Sequence, residues 1–179
     1  GQKYSAQVLQ QVPAYKDKKL QDYVQRIGQS LSEKSHRSNL IYRFIVLDNP
    51  DINAFALPGG YIFINRGLMA YLSSEEELAA VLGHELGHVT ARHSVRQMSQ
   101  AQLMNFMSVI VGAQAGRTAG DITNLAGSAF LAGYGRDMEL EADEIGAKYM
   151  SLDGYSTQGM FKTLSVLKEQ EVYATKTAK

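Results

Sequence analysis

Two histidines and a glutamate near the middle of the chain form the pattern His84-Glu85-Leu86-Gly87-His88. On a helix, residues four apart lie about 40° from each other and one turn apart, so both imidazoles can reach the same ion. Glu85 would lie about 60° round the helix from His88, where it can face a water on that ion without binding the ion itself. The pattern therefore predicts two neutral nitrogen ligands for a metal, with a base beside them.

A catalytic zinc ion needs a third protein ligand and one open position for water. The chain has four histidines and no cysteine, so disulfides and thiolate ligands are excluded. On a continuous helix His93 would lie about 140° from His88, and it can join the same ion only if the helix ends first. His36 lies far upstream in a polar segment. The third ligand is therefore predicted to be a carboxylate.

The best candidates for that carboxylate are Glu139 and Asp143, which are four residues apart on one predicted helix. The small residues Ala142 and Gly146 share their side of the helix and would let a second helix approach closely. One carboxylate can then bind the metal while the other orients a ligating histidine. The spacing favours Glu139 as the ligand. The remaining glutamates of this segment are interpreted as solvated: Glu141 and Glu144.

The elements that position these residues are predicted to be mainly helical. One helix follows Pro13, which separates it from a shorter helix, and its apolar face comprises Leu20, Tyr23, Val24, Ile27 and Leu31. Ser74 and Glu77 fit a capping box at the start of the His84 helix. Further helices are predicted over residues 137–150 and 157–172.

Three short runs rich in β-branched and aromatic residues lie between these helices. Residues 40–48 end at a turn with the sequence Asn-Pro-Asp, and residues 52–57 and 61–65 flank Pro58-Gly59-Gly60. The pattern predicts a strand followed by a β-hairpin.

Length and composition exclude several classes of protein. The 179 residues, 45% of them hydrophobic and 20% charged, are typical of one globular domain, which we assign to residues 1–179 with a core over 20–172. Lysine plus arginine equals aspartate plus glutamate at 18 each, so no basic excess indicates nucleic-acid binding. No apolar run reaches the length that a membrane-spanning helix needs.

The segment 101–135 is rich in glycine, alanine and serine, and it contains an apolar stretch over 103–113. It lies between the two predicted ligand-bearing helices and is predicted to form a helix, a loop and a second helix. Its glycine hinges and apolar residues predict a mobile lid that partly covers the metal cleft. The alternative is a static helical hairpin in the core.

These motifs resemble the gluzincin metallopeptidases of family 48, which include HtpX and the CAAX prenyl protease. The resemblance rests on His84-Glu85-x-x-His88 and on Glu139-x-x-Ala142-Asp143, and it extends to the segments NAFALPGG (53–60), NRGL (65–68) and HVTARH (88–93). It implies an α+β fold, namely a mostly helical zincin-like domain with a small β-sheet or hairpin. In that fold the HExxH helix packs on a second ligand-bearing helix.

The resemblance also implies a role for each matching residue. One zinc ion per chain would be bound by His84, His88 and Glu139. Glu85 would be the catalytic base, and Asp143 would be the proton donor.

Other roles are less specific. The oxyanion of the reaction needs a donor besides zinc, for which the candidates are Asp143, Arg136 and Tyr149, and spacing does not choose among them. Asn53, Ala54 and Phe55 form a candidate edge strand that pairs with an extended substrate. The alternative is an ordinary hairpin strand.

The implied function is zinc-dependent endopeptidase activity on unfolded or misassembled envelope proteins, a form of protein quality control. The resemblance to the soluble branch implies the bacterial periplasm or the membrane-associated envelope, with peripheral membrane or outer-membrane-protein association. The alternative is a catalytically idle or regulated zinc-binding scaffold with a chaperone-like role. An intact Glu85 favours the enzyme, since a scaffold does not need a base beside the metal. No feature of the sequence specifies an oligomeric state.

Overall fold

The computed structural model describes residues 2–93 and 136–167 of the chain. Helices α1 (Gln2–Gln11) and α2 (Lys18–Glu33) precede strands β1 (Arg43–Leu47), β2 (Ala54–Leu57) and β3 (Tyr61–Asn65). Helices α3 (Arg66–Tyr71), α4 (Glu75–Thr90) and α5 (Arg136–Leu152) follow, and residues 160–167 are also helical. The predicted α+β class is therefore confirmed. The predicted lid over 101–135 lies outside the described residues.

The strand and the hairpin predicted from the sequence join into one sheet with the order β1-β3-β2. Strands β2 and β3 are antiparallel, and the turn between them contains Gly59 and Gly60 with φ values of 94° and 100°. Residues with a Cβ atom rarely adopt this left-handed backbone, so the turn requires glycine. Strand β1 pairs with β3 in parallel, which the sequence pattern did not predict. Strand β2 therefore forms one edge of this sheet.

Successive side chains of a strand alternate between the two faces of a sheet. In this sheet both faces carry buried hydrophobic residues. One face packs against α2 and α4 with Phe44, Val46, Ala54, Ala56, Ile62 and Ile64. The other face packs against Val8 of α1 and Val12, which follows that helix, with Leu47, Phe55, Leu57 and Phe63. Within the described ranges, no helix has the length and apolarity needed to cross a membrane.

Helix α4 begins with the predicted cap and then runs through the interior. The Ser74 Oγ accepts a hydrogen bond from the Glu77 N–H at 3.1 Å, and the Glu77 carboxylate accepts one from the Ser73 N–H at 3.1 Å. Every residue from Leu78 to Thr90 is buried. A helix buried on all sides lies in the middle of a domain, and α4 here lies between the sheet and α5.

Helices α4 and α5 meet through small residues. A Cβ atom at Gly146 would lie 2.7 Å from the carbonyl carbon of Gly83, and one at Gly87 would lie 2.8 Å from the carbonyl oxygen of Ala142. The two backbones are therefore in direct contact, and the predicted close approach at Ala142 and Gly146 is confirmed. This contact holds the histidines of α4 opposite the carboxylates of α5.

A Gly146→Ala substitution is expected to lower the free energy of unfolding by about 1–3 kcal/mol, because the added methyl group overpacks this contact. At an open helical position the same change would stabilise the protein by up to about 1 kcal/mol, so the sign of the effect reports the contact. Urea denaturation measures it. The control is Gly159→Ala, where nothing lies within 4 Å of the added atom. A Gly146→Ala protein as stable as the unsubstituted chain would contradict the close packing of α4 on α5.

Candidate metal centre

Three buried side chains converge where α4 faces α5. The His84 and His88 Nε2 atoms are 3.2 Å apart. The Glu139 carboxylate lies 3.1 Å from the His84 Nε2 and 3.2 Å from the His88 Nε2. Ligands that surround a zinc ion tetrahedrally at about 2.0–2.1 Å are about 3.3 Å from one another. The three groups therefore have the spacing of the ligands of one tetrahedral zinc ion.

Asp143 lies behind the first of these histidines. Its Oδ1 is 2.6 Å from the His84 Nδ1, on the side of the ring opposite the Nε2 that faces Glu139. With Nε2 bound to a metal, the proton of this imidazole is on Nδ1 and is donated to the carboxylate. Such a bond fixes the orientation of the ring and makes its ligating nitrogen more basic. The structure thus brings Asp143 to the position that the spacing with Glu139 predicted.

The charges around the cluster favour a bound cation. Burial disfavours the charged form of both imidazoles, but at His84 the carboxylates of Asp143 and Glu139 outweigh it and raise the pKa to about 10. At His88 burial dominates and lowers the pKa to about 4. The two imidazoles lower the pKa of Glu139 against the opposing effect of burial. The carboxylates thus hold a proton at His84 in the metal-free cluster, and a metal cation that binds there would displace this proton.

Glu85 lies inside the same cluster. Its side chain is buried, and its charge contributes to the raised pKa of His84. A buried carboxylate next to metal ligands is positioned to accept and release a proton. The structure thus brings together all five residues that the two motifs predicted: His84, Glu85, His88, Glu139 and Asp143.

His93 also reaches the cluster, although not as a ligand. Helix α4 ends at Thr90, and Arg92 has a φ of 58°, so the chain turns back and the His93 Nδ1 lies 2.7 Å from the His88 Nδ1. The spacing left the role of His93 open, because His93 can approach the metal site only if the helix ends before it. Glu141 is predicted to be solvated, and its side chain is 41% exposed, but its Oε2 also lies 3.3 Å from the His93 Nε2, a contact that the spacing did not predict.

Two candidates for the oxyanion donor lie elsewhere on α5. Tyr149 is ten residues after Glu139, which is about 15 Å along a helix. Its hydroxyl bonds to the Thr90 Oγ1 at 2.8 Å and to the His36 Nδ1 at 2.5 Å, so it binds the end of α4 and is not brought to the ligands. Arg136 is exposed at the first residue of α5.

The candidate substrate strand is β2, which lies at one edge of the described sheet and has all four of its residues buried. The Asn53 carbonyl accepts the Asn65 N–H at 3.0 Å, and hydrogen bonding alternates along antiparallel strands. The backbone of Phe55 therefore faces β3, whereas that of Ala54 faces the edge. The Asn53 Oδ1 accepts the Ala54 N–H at 2.9 Å, and the Phe55 ring stacks on Phe63 in the core. Of the three predicted residues, only Ala54 directs its carbonyl group away from β3, and Ala54 is fully buried.

The sequence profile of peptidase family M48 matches residues 18–176, a range that includes the whole cluster. The chain belongs to peptidase family M48.

Similar proteins of this family are proteases by name. The chain is 32% identical to the β-barrel assembly-enhancing protease of Yersinia pestis over 187 residues, which cover 98% of this chain and 38% of that protein. It is 30% identical to metalloprotease YcaL of Escherichia coli over 161 residues, covering 86% of this chain and 62% of that protein. It is 35% identical to mitochondrial metalloendopeptidase OMA1 of Schizosaccharomyces pombe over 130 residues, covering 72% of this chain and 38% of that protein. The chain thus spans less than two thirds of the length of each of these relatives.

Proposed function

We propose that this chain is a zinc-dependent metalloendopeptidase that hydrolyses peptide bonds with water. The observation that carries the proposal is the group of His84 Nε2, His88 Nε2 and the Glu139 carboxylate, with separations of 3.1–3.2 Å. These residues would hold one zinc ion per chain. When bound, zinc would polarise a peptide carbonyl and lower the pKa of a water molecule towards neutrality.

Glu85 and Asp143 are assigned the proton handling and the positioning. Glu85 would accept the proton of the attacking water and pass it to the leaving amine, and its burial beside His84 places it in the low-dielectric surroundings where such a base is effective. Asp143 would hold the His84 ring through the 2.6 Å contact to Nδ1. The family resemblance also makes Asp143 the candidate proton donor, and Arg136 stays a candidate for the oxyanion.

The edge strand β2 is the candidate for main-chain pairing with an extended substrate. The Ala54 carbonyl and the backbone groups of Ala56 do not face β3, and a polypeptide in the extended conformation would pair with them once the surroundings that bury β2 give way. Main-chain pairing of this kind selects for extended chains with little regard to their sequence. It therefore favours unfolded or misassembled proteins as substrates.

The relatives supply the cellular context of the proposal. The name of the Yersinia pestis protein connects that protease with β-barrel assembly. We place this chain in protein quality control in the periplasm or at the membrane-associated cell envelope, with outer-membrane proteins among its substrates.

A cleavage assay on an unfolded polypeptide tests the proposal. We expect cleavage to stop when a chelator removes the metal and to return when one equivalent of zinc per chain is added, since His84, His88 and Glu139 offer one site. Elemental analysis of the purified protein gives the zinc content. Zinc binding without cleavage would favour the scaffold over the peptidase, and cleavage that is indifferent to the chelator would contradict the proposal.

A further inference from the structure

The second ligating histidine has a partner behind it that neither motif contains. We propose that His93 and Glu141 form a relay behind His88, in which His93 is hydrogen-bonded to His88 and Glu141 acts on His93 electrostatically, and that this relay fixes the tautomer and the orientation of the His88 ring for metal binding. His93 and Glu141 are positioning residues in this assignment, since they act on the metal through His88. The inference rests on the proposed function, because it requires His88 to bind zinc through Nε2.

The contact between the two imidazoles determines where the protons are. The His88 Nδ1 and the His93 Nδ1 are 2.7 Å apart, and both rings are buried. At this distance one nitrogen donates and the other accepts. Because His88 binds the metal with a deprotonated Nε2, it carries its proton on Nδ1 and must be the donor. His93 therefore accepts on Nδ1 and carries its own proton on Nε2.

Glu141 completes the relay. The His93 Nε2 lies 3.3 Å from the Glu141 Oε2, close enough for the negative charge of the carboxylate to stabilise a proton on that nitrogen. The carboxylate polarises His93, and His93 in turn makes His88 a more basic ligand.

The two ligating histidines are thereby supported in equivalent ways from the same helix. Asp143 contacts His84 directly at 2.6 Å, whereas Glu141 acts on His88 through His93. Residues two apart on a helix point in different directions, so Glu141 cannot lie beside Asp143 and face the same ring. The imidazole of His93 lies between Glu141 and His88 and contacts both of them.

The conformation at the end of α4 places His93 beside His88. The Thr90 Oγ1 bonds to the Tyr149 hydroxyl at 2.8 Å, and the Thr90 carbonyl lies 3.3 Å from the His36 Nε2. These contacts hold the last turn of the helix at Thr90. Arg92 then adopts its left-handed φ of 58° and reverses the chain. A left-handed residue other than glycine is unfavourable by itself, and the buried His93 contact compensates for it.

Zinc affinity, measured by competition with a chromophoric chelator, tests the relay without reference to activity. A His93→Phe variant is expected to bind zinc about 10–100-fold more weakly, the usual effect of losing the partner behind a ligating histidine. A His93→Gln variant is expected to recover most of this loss. Its amide oxygen can accept from His88 and its NH₂ group can donate to Glu141, so rescue separates hydrogen bonding from packing.

Glu141 gives a second and independent arm of the test, because its half-exposed side chain can be changed without disturbing the core. Glu141→Ala is expected to weaken zinc binding in the unsubstituted chain and to have no further effect in the His93→Phe background, where the relay is already broken. Glu144→Ala, at an exposed position on the same helix, is the matched control and is expected to bind zinc normally.

Three results would overturn the relay while the metal site stands. These are a His93→Phe protein that binds zinc as tightly as the unsubstituted chain, a Gln variant no better than the Phe variant, and a Glu141→Ala effect that is undiminished in the His93→Phe background. Failure of the unsubstituted chain to bind zinc is a different outcome. It would contradict the proposed function, and the relay with it.

Discussion

A Glu85→Gln variant is expected to keep its zinc and to lose at least about 100-fold in turnover, the scale of losing a positioned acid–base group. Glutamine has the same shape as glutamate and fits the same buried space, but its amide cannot accept the proton of the attacking water. Glu85 is one residue from His84 and is not among the three ligand side chains, so zinc affinity should change little. The measurements are kcat on an unfolded polypeptide and the zinc content of the same preparation.

The matched control is Glu76→Gln, the same chemical change at an exposed position of the same helix. It is expected to leave both turnover and zinc content unchanged. A Glu85→Gln protein that has lost its zinc would show that this carboxylate is structural. A variant that keeps full turnover would show that another group takes the proton.

Local spacing predicted the two residue pairs of the central cluster and favoured Glu139 as the third ligand, whereas the family resemblance supplied the role of each residue. The interval of four residues on α4 and on α5 places each pair on one helix face, and Ala142 and Gly146 indicated which face of α5 meets α4. These are properties of a single helix, and periodicity reports them directly. For the same reason the Ser74 cap could be predicted, because it depends on residues three apart.

Two features of the site depend on contacts between distant segments, and periodicity does not report such contacts. His93 returns to His88 only because α4 stops at Thr90 and Arg92 is left-handed. Positive φ is typical of glycine or asparagine, so an arginine gives no signal of it. The contact of Tyr149 with Thr90 was missed for a related reason, since it depends on how far α5 runs past the ligand cluster.

The pairing of the strands shows the same limit in the sheet. The glycine turn at residues 59–60 predicts the antiparallel hairpin of β2 and β3, because the turn directly connects the two strands in the chain. The parallel pairing of β1 with β3 has no local signal. It also decides that β2, and not β3, lies at the edge of the described sheet.

A Glu139→Ala variant removes one of the proposed ligands and is expected to bind zinc much more weakly. The expected loss exceeds the roughly 10–100-fold that follows when only the hydrogen-bond partner of a ligand is removed. The substitution also leaves two buried imidazoles without the carboxylate that lies 3.1–3.2 Å from their Nε2 atoms. Cleavage should be abolished with the metal. Chelator competition gives the affinity, and the cleavage assay on an unfolded polypeptide gives the activity.

Thermal unfolding separates the loss of the ligand from a loss of the fold. A metal that binds only the folded state raises the Tm by an amount that depends on its concentration relative to Kd. Added zinc should therefore raise the Tm of the unsubstituted chain and of the exposed control Glu144→Ala, but not that of Glu139→Ala. If Glu139→Ala kept full zinc affinity and full cleavage, Glu139 would not be a ligand, and the contact between α4 and α5 would lose its assigned role of assembling the metal site.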